Sequence, residues 1–219
     1  MPALIAYYSR ADENYFGGTL RYIDKGNTRI ATEILQALTG ADMFRIEQLT
    51  PYSKDYNSCI EEARSDLRRN ARPELKAMPE SLDKYDTIYL GFPNYWGTMP
   101  MAVFTFLERS DLKGKTIKPF CTNEGSGMGE SEKDIKALCT DSNIEKGLSI
   151  WGKSGCNTII TERNDTDEKD AHSLLFVVKR QHKSHCRSTA ESHRCGYCPP
   201  RHQGRRTNTY LHRRQRLVC

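Results

Sequence analysis

The chain has 219 residues, 37% of them hydrophobic, enough to bury the core of one α/β domain and too many for global disorder. Its formal charge of +5 hides a split: residues 1–150 hold 19 basic and 22 acidic groups (net −3), whereas residues 151–219 hold 14 and 6 (net +8). The longest aliphatic–aromatic run, Leu174–Val178, is far too short to span a bilayer, and the N-terminus shows no basic leader or cleavage pattern, so a cytoplasmic, soluble chain with reduced thiols is expected.

Ala3–Tyr8 is an uncharged apolar run, the pattern of a strand buried on both faces. It ends at Ser9-Arg10 and leads into a polar, glycine-bearing stretch, Ala11–Lys25. Helical spacing follows Gly26-Asn27-Thr28, with Ile30, Ile34, Leu35, Ala37 and Leu38 expected on one face and Gly40 as the stop. Asp42–Glu47 suits a second strand, and Asn57–Asn70 an exposed amphipathic helix carrying Ile60, Ala63 and Leu67 on its apolar stripe. Asp86–Phe92 is the next buried strand and runs into Pro93-Asn94-Tyr95-Trp96-Gly97. Pro100 opens a helix with Val103, Phe106 and Leu107 inward. Thr116–Thr122 is a fourth strand, followed by Asn123–Gly129. Ser131-Glu132-Lys133-Asp134 has the form of a capping box before Ile135, Leu138 and Cys139, and Leu148–Trp151 reads as a fifth strand. Cys59, Cys121 and Cys139 lie in apolar segments and are expected to act as small core hydrophobes. This alternation predicts a doubly wound parallel α/β sheet.

Ligands of such sheets sit at the carboxyl ends of the strands, beside the switch in strand order, and three strand ends here carry unusual residues. After the first strand, the Ser9 and Thr28 hydroxyls and a helix start with free N–H groups make a phosphate cradle; Asn27 and Thr28 serve equally well as plain helix caps. After the third, Tyr95 and Trp96, bracketed by Pro93 and Gly97, offer either a stacking surface for a flat heteroaromatic ligand or a plug over the core. After the fourth, Thr122-Asn123-Glu124-Gly125-Ser126-Gly127-Met128-Gly129 puts three glycines where backbone can approach a ligand closely. No Gly-Lys-Ser/Thr follows, so this is not a Walker loop, and the dinucleotide fingerprint spacing is absent.

In this order, the three loops resemble the flavodoxin-like family, in its long-insert form, over residues 1–150. The family's phosphate loop reads Ser/Thr-x-Thr-Gly-Asn-Thr; Ser9 matches its first hydroxyl and Gly26-Asn27-Thr28 its end, across the insertion Ala11–Lys25. Lys25 stands where a hydroxyl is expected before the glycine, which shifts phosphate contact toward the charge of Arg10 or Lys25. The resemblance implies a five-stranded parallel sheet in the order 2-1-3-4-5 and FMN as cofactor. Its phosphate would lie at Ser9, Arg10, Asn27 and Thr28, and its ring against Pro93, Asn94, Tyr95, Trp96 and Gly97, with either aromatic stacked upon it. The other ring edge would meet Thr122, Asn123, Glu124, Gly125, Ser126 and Gly127, through Asn123, the Glu124 backbone and the glycine amides. The Trp96–Gly97 peptide would reorient to reach a flavin nitrogen. No catalytic side chain and no metal ligand belongs to this set.

Two functions follow from the resemblance: an electron carrier serving redox partner proteins, or an NAD(P)H-dependent quinone or nitro reductase using the same flavin. A third is a degenerate module that binds no flavin. The first 171 residues contain no histidine and no separate nicotinamide motif, which favours the carrier. Neither nucleic acid nor a membrane is expected as a partner, and the sequence leaves the oligomeric state open.

The texture changes at Gly152, dividing a domain over residues 1–151 from a basic, Cys/His-rich tail over 152–219. Residues 171–219 contain eleven Lys and Arg and one acidic residue, Glu191. This tail reads as a basic nucleic-acid or membrane-surface tail, as an irregular zinc site from Cys186, Cys195, Cys198 and His202, or as the product of a reading-frame shift near residues 151–156. The last reading answers a structural need, since the sheet requires a helix after its fifth strand and Gly152–Thr161 does not supply one.

Overall fold

A computed structural model describes residues 2–16, 18–152 and 159–160. The zinc and reading-frame readings of the tail fall outside them. The uncharged strand β1 (Ala3–Tyr7) is second from one edge of the sheet, with β4 (Asp42–Arg45) parallel on one side and β5 (Thr87–Pro93) parallel on the other. β5 pairs with β6 (Thr116–Asn123), and β6 with β8 (Leu148–Gly152), both parallel. The five principal strands therefore stand in the expected order 2-1-3-4-5. Two short strands extend it: β7 (Asn143–Ile144) lies along the start of β6, and β9 (Ile159–Ile160) runs antiparallel to β8.

The larger core cluster joins β1, β5 and β6 side chains such as Leu90, Phe92 and Ile117 to Phe106 and Ile135 of the helices, and Cys59, Cys121 and Cys139 are buried as expected. A smaller cluster of Ile5, Ala31, Leu35, Ala41, Phe120 and Ile150 lies under α1 (Asn27–Thr39). The buried face of α1 is Thr28, Ala31, Thr32 and Leu35; of the predicted face only Leu35 is buried, Ile30 and Ile34 are half-buried, and Ala37 and Leu38 are exposed, Leu38 by 63%. The helix starts hard against the strand ends, so its register is set by Thr28, whose hydroxyl meets that of Thr122 at 2.8 Å. Gly40, at φ +68°, ends it by donating to the Gln36 carbonyl.

Helix α2 (Tyr56–Arg68) is capped by Asp55, which accepts the Ser58 N–H at 2.7 Å, and α3 (Met101–Arg109) follows Pro100. In α4 (Ser131–Leu138) the predicted capping box does not form. Glu130 occupies the cap position, and Ser131 donates backwards to the Met128 carbonyl at 2.6 Å. The Glu132 and Asp134 carboxylates instead accept the Gly147 N–H and the Thr98 hydroxyl, so each bonds another segment rather than its own helix end.

The stretch Ala11–Lys25, read from sequence only as polar and glycine-bearing, contains an antiparallel hairpin of β2 (Asp12–Phe16) and β3 (Thr19–Ile23). Tyr15, Phe16, Leu20, Tyr22 and Ile23 supply the strand-favouring residues. Among the described residues, no helix is long and apolar enough to cross a membrane.

Candidate functional site

The chain leaves β1 for β4 on one side and returns through α2 to β5 on the other, which puts the switch in strand order between β1 and β5. The register pairs Tyr7 with Gly91 and Pro93 with Thr122, so β1, β5 and β6 end side by side. The three loops singled out in the sequence thus converge. Their contacts are direct: Thr28 meets Thr122, the Asn94 N–H donates to the Thr122 carbonyl at 2.9 Å, and the Asn94 amide donates to the Gly127 carbonyl at 2.9 Å.

On the first loop, the hairpin leaves and returns at one point. Gly26 lies so close to Ser9-Arg10 that an added Cβ would fall 2.5 Å from the Ser9 hydroxyl and nearer still to the Arg10 carbonyl. The two halves of a motif separated by the insertion are therefore contiguous in space. Ser9 accepts the Arg29 N–H at 3.2 Å, while the N–H groups of Asn27 and Thr28 belong to the open first turn of α1. The Asn27 side-chain nitrogen is buried without a hydrogen-bond partner. An unsatisfied amide donor at a helix start fits an anion that accepts several hydrogen bonds, such as a phosphate.

The two cations expected here are engaged elsewhere. Arg10 is 7% exposed, and its guanidinium donates to the carbonyls of Glu13 (2.6 Å), Ser53 (2.7 Å) and Lys54 (2.7 Å). It pins the hairpin to the segment before α2 rather than facing the helix start. Lys25 pairs with Glu33 at 2.8 Å on the outside of α1, and holds that carboxyl below its ordinary range.

On the second loop, Tyr95 is 2% exposed and packs edge-on to Tyr8, with Tyr52 beside it. It is the plug over the core, and stacking surface remains only on half-buried Trp96. The indole N–H of Trp96 donates to the Ile60 carbonyl at 2.9 Å, and the Arg64 guanidinium lies 4.9 Å from its ring centre. Tyr95 and Thr98 exchange backbone bonds of 2.8 and 3.1 Å around Trp96 (φ +53°) and Gly97 (φ +88°), the two left-handed residues of a type I′ turn. Gly97 suits that conformation; tryptophan adopts it rarely and under strain. The Gly97 N–H donates to the Asn94 side-chain oxygen at 2.9 Å, and its carbonyl accepts the Glu130 N–H at 2.7 Å. The peptide expected to reorient is thus held through its N–H, and the peptide after it through the Gly97 carbonyl. Glycine is needed at 129 as well, where an added Cβ would lie 2.7 Å from the Gly97 carbonyl carbon.

On the third loop, the Asn123 side-chain oxygen takes the N–H groups of both Gly125 (2.9 Å) and Gly127 (3.0 Å), and its amide donates to Ser149 at 2.8 Å. Asn123 and those two amides, expected to address a ring edge, are spent on shaping the loop. Ser126 is exposed at its tip and Glu124 half-buried near its start. Burial raises the Cys121 thiol, which lies under this loop, far above its ordinary range, and elsewhere in the core pushes Cys139 up to about 11, so both stay protonated near neutral pH. Among the described residues no cluster of metal-binding side chains occurs. The arrangement suits holding a planar, phosphorylated molecule rather than proton transfer by a side chain.

Sequence reasoning missed the bridging part of Asn94, the Ser149 contact and the Thr98–Asp134 bond; no local pattern marks them. The family model for flavodoxin matches residues 20–164. A search of curated proteins finds no match. Among solved structures, a Bacteroides eggerthii protein described as a flavoprotein is 30% identical, with 68% of this chain and 87% of that one covered and a TM-score of 0.56. A Bacteroides uniformis protein described in the same way is 29% identical, covering 70% and 92%, with a TM-score of 0.54. A Lactobacillus acidophilus flavoprotein solved in complex with FMN is 17% identical, covering 68% and 91%, with a TM-score of 0.51, a likeness of fold.

Proposed function

This chain belongs to the flavodoxin family, and from that premise we propose that it binds FMN and carries electrons between redox partner proteins. The observation that carries the reading is the phosphate loop rebuilt across the hairpin, with the buried, unpartnered Asn27 amide at the start of α1. The Asn27 side chain and the first-turn N–H groups would take the phosphate, aided by the positive end of the helix dipole in place of Arg10. The ring would lie between the Trp96–Gly97 turn and the loop from Thr122 to Gly127. Bound there, FMN supplies the electron transfer, and the protein supplies its position and surroundings. The carrier form is supported by a site whose polar groups serve to hold loops, and by the absence of histidine from the first 171 residues.

The test is the absorption spectrum of the purified protein, with release and identification of its flavin and an FMN titration of the stripped protein. Yellow protein that releases FMN and turns over NAD(P)H with a quinone no faster than free FMN is the expected result. Rapid turnover would replace the carrier with a reductase. Colourless protein that takes up no FMN would overturn both.

A further inference from the structure

The hairpin is fastened to the domain along β2. The Arg10 guanidinium at its base bonds the carbonyls of Glu13, Ser53 and Lys54, the Glu13 carboxylate accepts the Tyr56 N–H at 3.0 Å, and Tyr15 stacks on Tyr56. β3 pairs with β2 and with no other described strand. The register shows what its far edge presents. Glu13 stands opposite Tyr22, yet its N–H turns away from β3 to the Lys54 carbonyl at 3.3 Å, and its C=O to the Arg10 guanidinium at 2.6 Å. That pair is therefore a non-hydrogen-bonded one, and Tyr22 turns its own N–H and C=O away from β2; Leu20, two residues back, does the same. Neither has a main-chain partner on that side among the described residues. The five pairs run one to one, so no bulge blunts the edge, and β3 contains no proline. Leu20 and Tyr22 share one face, 43% and 65% exposed. Exposed Arg21 lies on the other and pairs with no carboxylate of a described residue.

We propose that β3 is a docking edge for an extended segment of a partner protein, added antiparallel, whose pattern apolar–acidic–apolar is set against Tyr22, Arg21 and Leu20. Main-chain bonds to Leu20 and Tyr22 hold the added strand. The residue opposite Arg21 then falls in a non-hydrogen-bonded pair, where side chains come closest, so a carboxylate there meets the unpaired guanidinium. The apolar residues on either side of it lie beside Leu20 and Tyr22 on the opposite face. Asp24, just beyond the strand, disfavours a second carboxylate at that end. A second copy of this chain is a poor occupant: the antiparallel register that sets Leu20 against the other copy's Tyr22 also sets Arg21 against Arg21. The docking edge is independent of the FMN reading.

The test titrates the isotope-labelled full chain with a blocked peptide, Thr-Val-Glu-Val-Thr, and with its counterpart carrying lysine in place of glutamate. The glutamate peptide is expected to shift the amide signals of Thr19–Ile23, and the lysine peptide to bind about fivefold more weakly. Arg21→Glu reverses that preference. Equal binding of the two peptides, or shifts that leave β3 untouched, overturn the proposal. Leu20→Pro removes an outward N–H while the ladder to β2 keeps its bonds, and abolishes binding; undiminished binding overturns the edge. Amide exchange in the wild-type protein decides the matter even if that variant does not fold. Arg21 is expected to be protected, whereas Leu20 and Tyr22 exchange rapidly and slow when the glutamate peptide is added. Protection of Leu20 and Tyr22 without peptide means that the edge is already covered, by this chain or, where protection grows with protein concentration, by a second copy; either result overturns the proposal. Neither readout depends on whether the protein holds FMN, so the failure of one reading leaves the other standing.

Discussion

Replacing Gly26 with alanine tests whether the split phosphate loop depends on close backbone contact. Gly26 sits at φ −68°, a conformation any residue adopts, so the substitution carries no dihedral penalty. With open space around it, the change would stabilise the fold by about 0.4–1 kcal/mol through the unfolded chain. Here the new Cβ falls 2.5 Å from the Ser9 hydroxyl and closer to the Arg10 carbonyl, which is backbone and cannot swing aside. Overpacking of this kind costs about 1–3 kcal/mol. Parting Ser9 from the Arg29 N–H removes a hydrogen bond worth about 0.5–1.5 kcal/mol. The net expectation is a loss of about 1–4 kcal/mol in urea unfolding. FMN affinity falls at least tenfold, about 1.4 kcal/mol, because the helix start is pushed off the loop. Gly147→Ala is the matched control: its Cβ meets the methyl end of Met128, a flexible side chain, and stability should hold within about 0.5 kcal/mol. A Gly26→Ala protein as stable as wild type, with undiminished FMN affinity, would refute the reasoning.

Three further outcomes are expected. Arg10→Met removes a buried guanidinium from three carbonyls and destabilises the protein by about 2–4 kcal/mol in urea, while the folded fraction keeps its FMN affinity; the reverse pattern would restore Arg10 as a phosphate ligand. Thiol labelling of the native protein at pH 7.5, mapped by peptide mass, leaves Cys59, Cys121 and Cys139 unmodified until denaturant is added, and rapid native labelling at any of them contradicts their burial. The Asp55 carboxyl is held below the usual carboxylate range, first by the Ser58 N–H and then by the Ser58 hydroxyl. Its contribution is present above the unfolded pKa and lost as pH falls through the lowered folded value, so Asp55→Asn should flatten the acid limb of Tm against pH; an unchanged limb would place the acid sensitivity elsewhere.

The central strands of the sheet were legible because each is an apolar run that needs no context. Ala3–Tyr7 and Thr87–Pro93 are buried on both faces, and such runs carry their assignment within themselves. The face of α1 was not legible. Ile30, Ile34 and Leu38 form the more apolar stripe, yet Thr28 and Thr32 face the sheet because the helix must start beside Thr122. A constraint at one end outweighs hydrophobic periodicity along the rest. The hairpin was missed for a related reason: charged and polar residues are spread along both its strands, so alternation is weak, and the hairpin is held at its base by Arg10.

At the site, the loops were legible and the duties within them were not. Residue type told where a cofactor fits; only hydrogen-bond partners tell which group is left to meet it. Arg10 carries the charge a phosphate wants, but three carbonyls within 2.7 Å have first claim on it. Asn123 and two glycine amides satisfy one another, and Tyr95 satisfies the core. Among the described residues, what is left uncommitted at the site is sparse: the buried Asn27 amide, the first-turn N–H groups and the half-buried Trp96 ring. A cofactor bound there would be recognised chiefly by main-chain groups. The side chains that look like ligands in the sequence mostly hold that main chain in place. Substitutions at Asn94 and Gly26 should therefore disturb FMN more than substitution of the nearest cation, an ordering opposite to the one that charge alone would suggest.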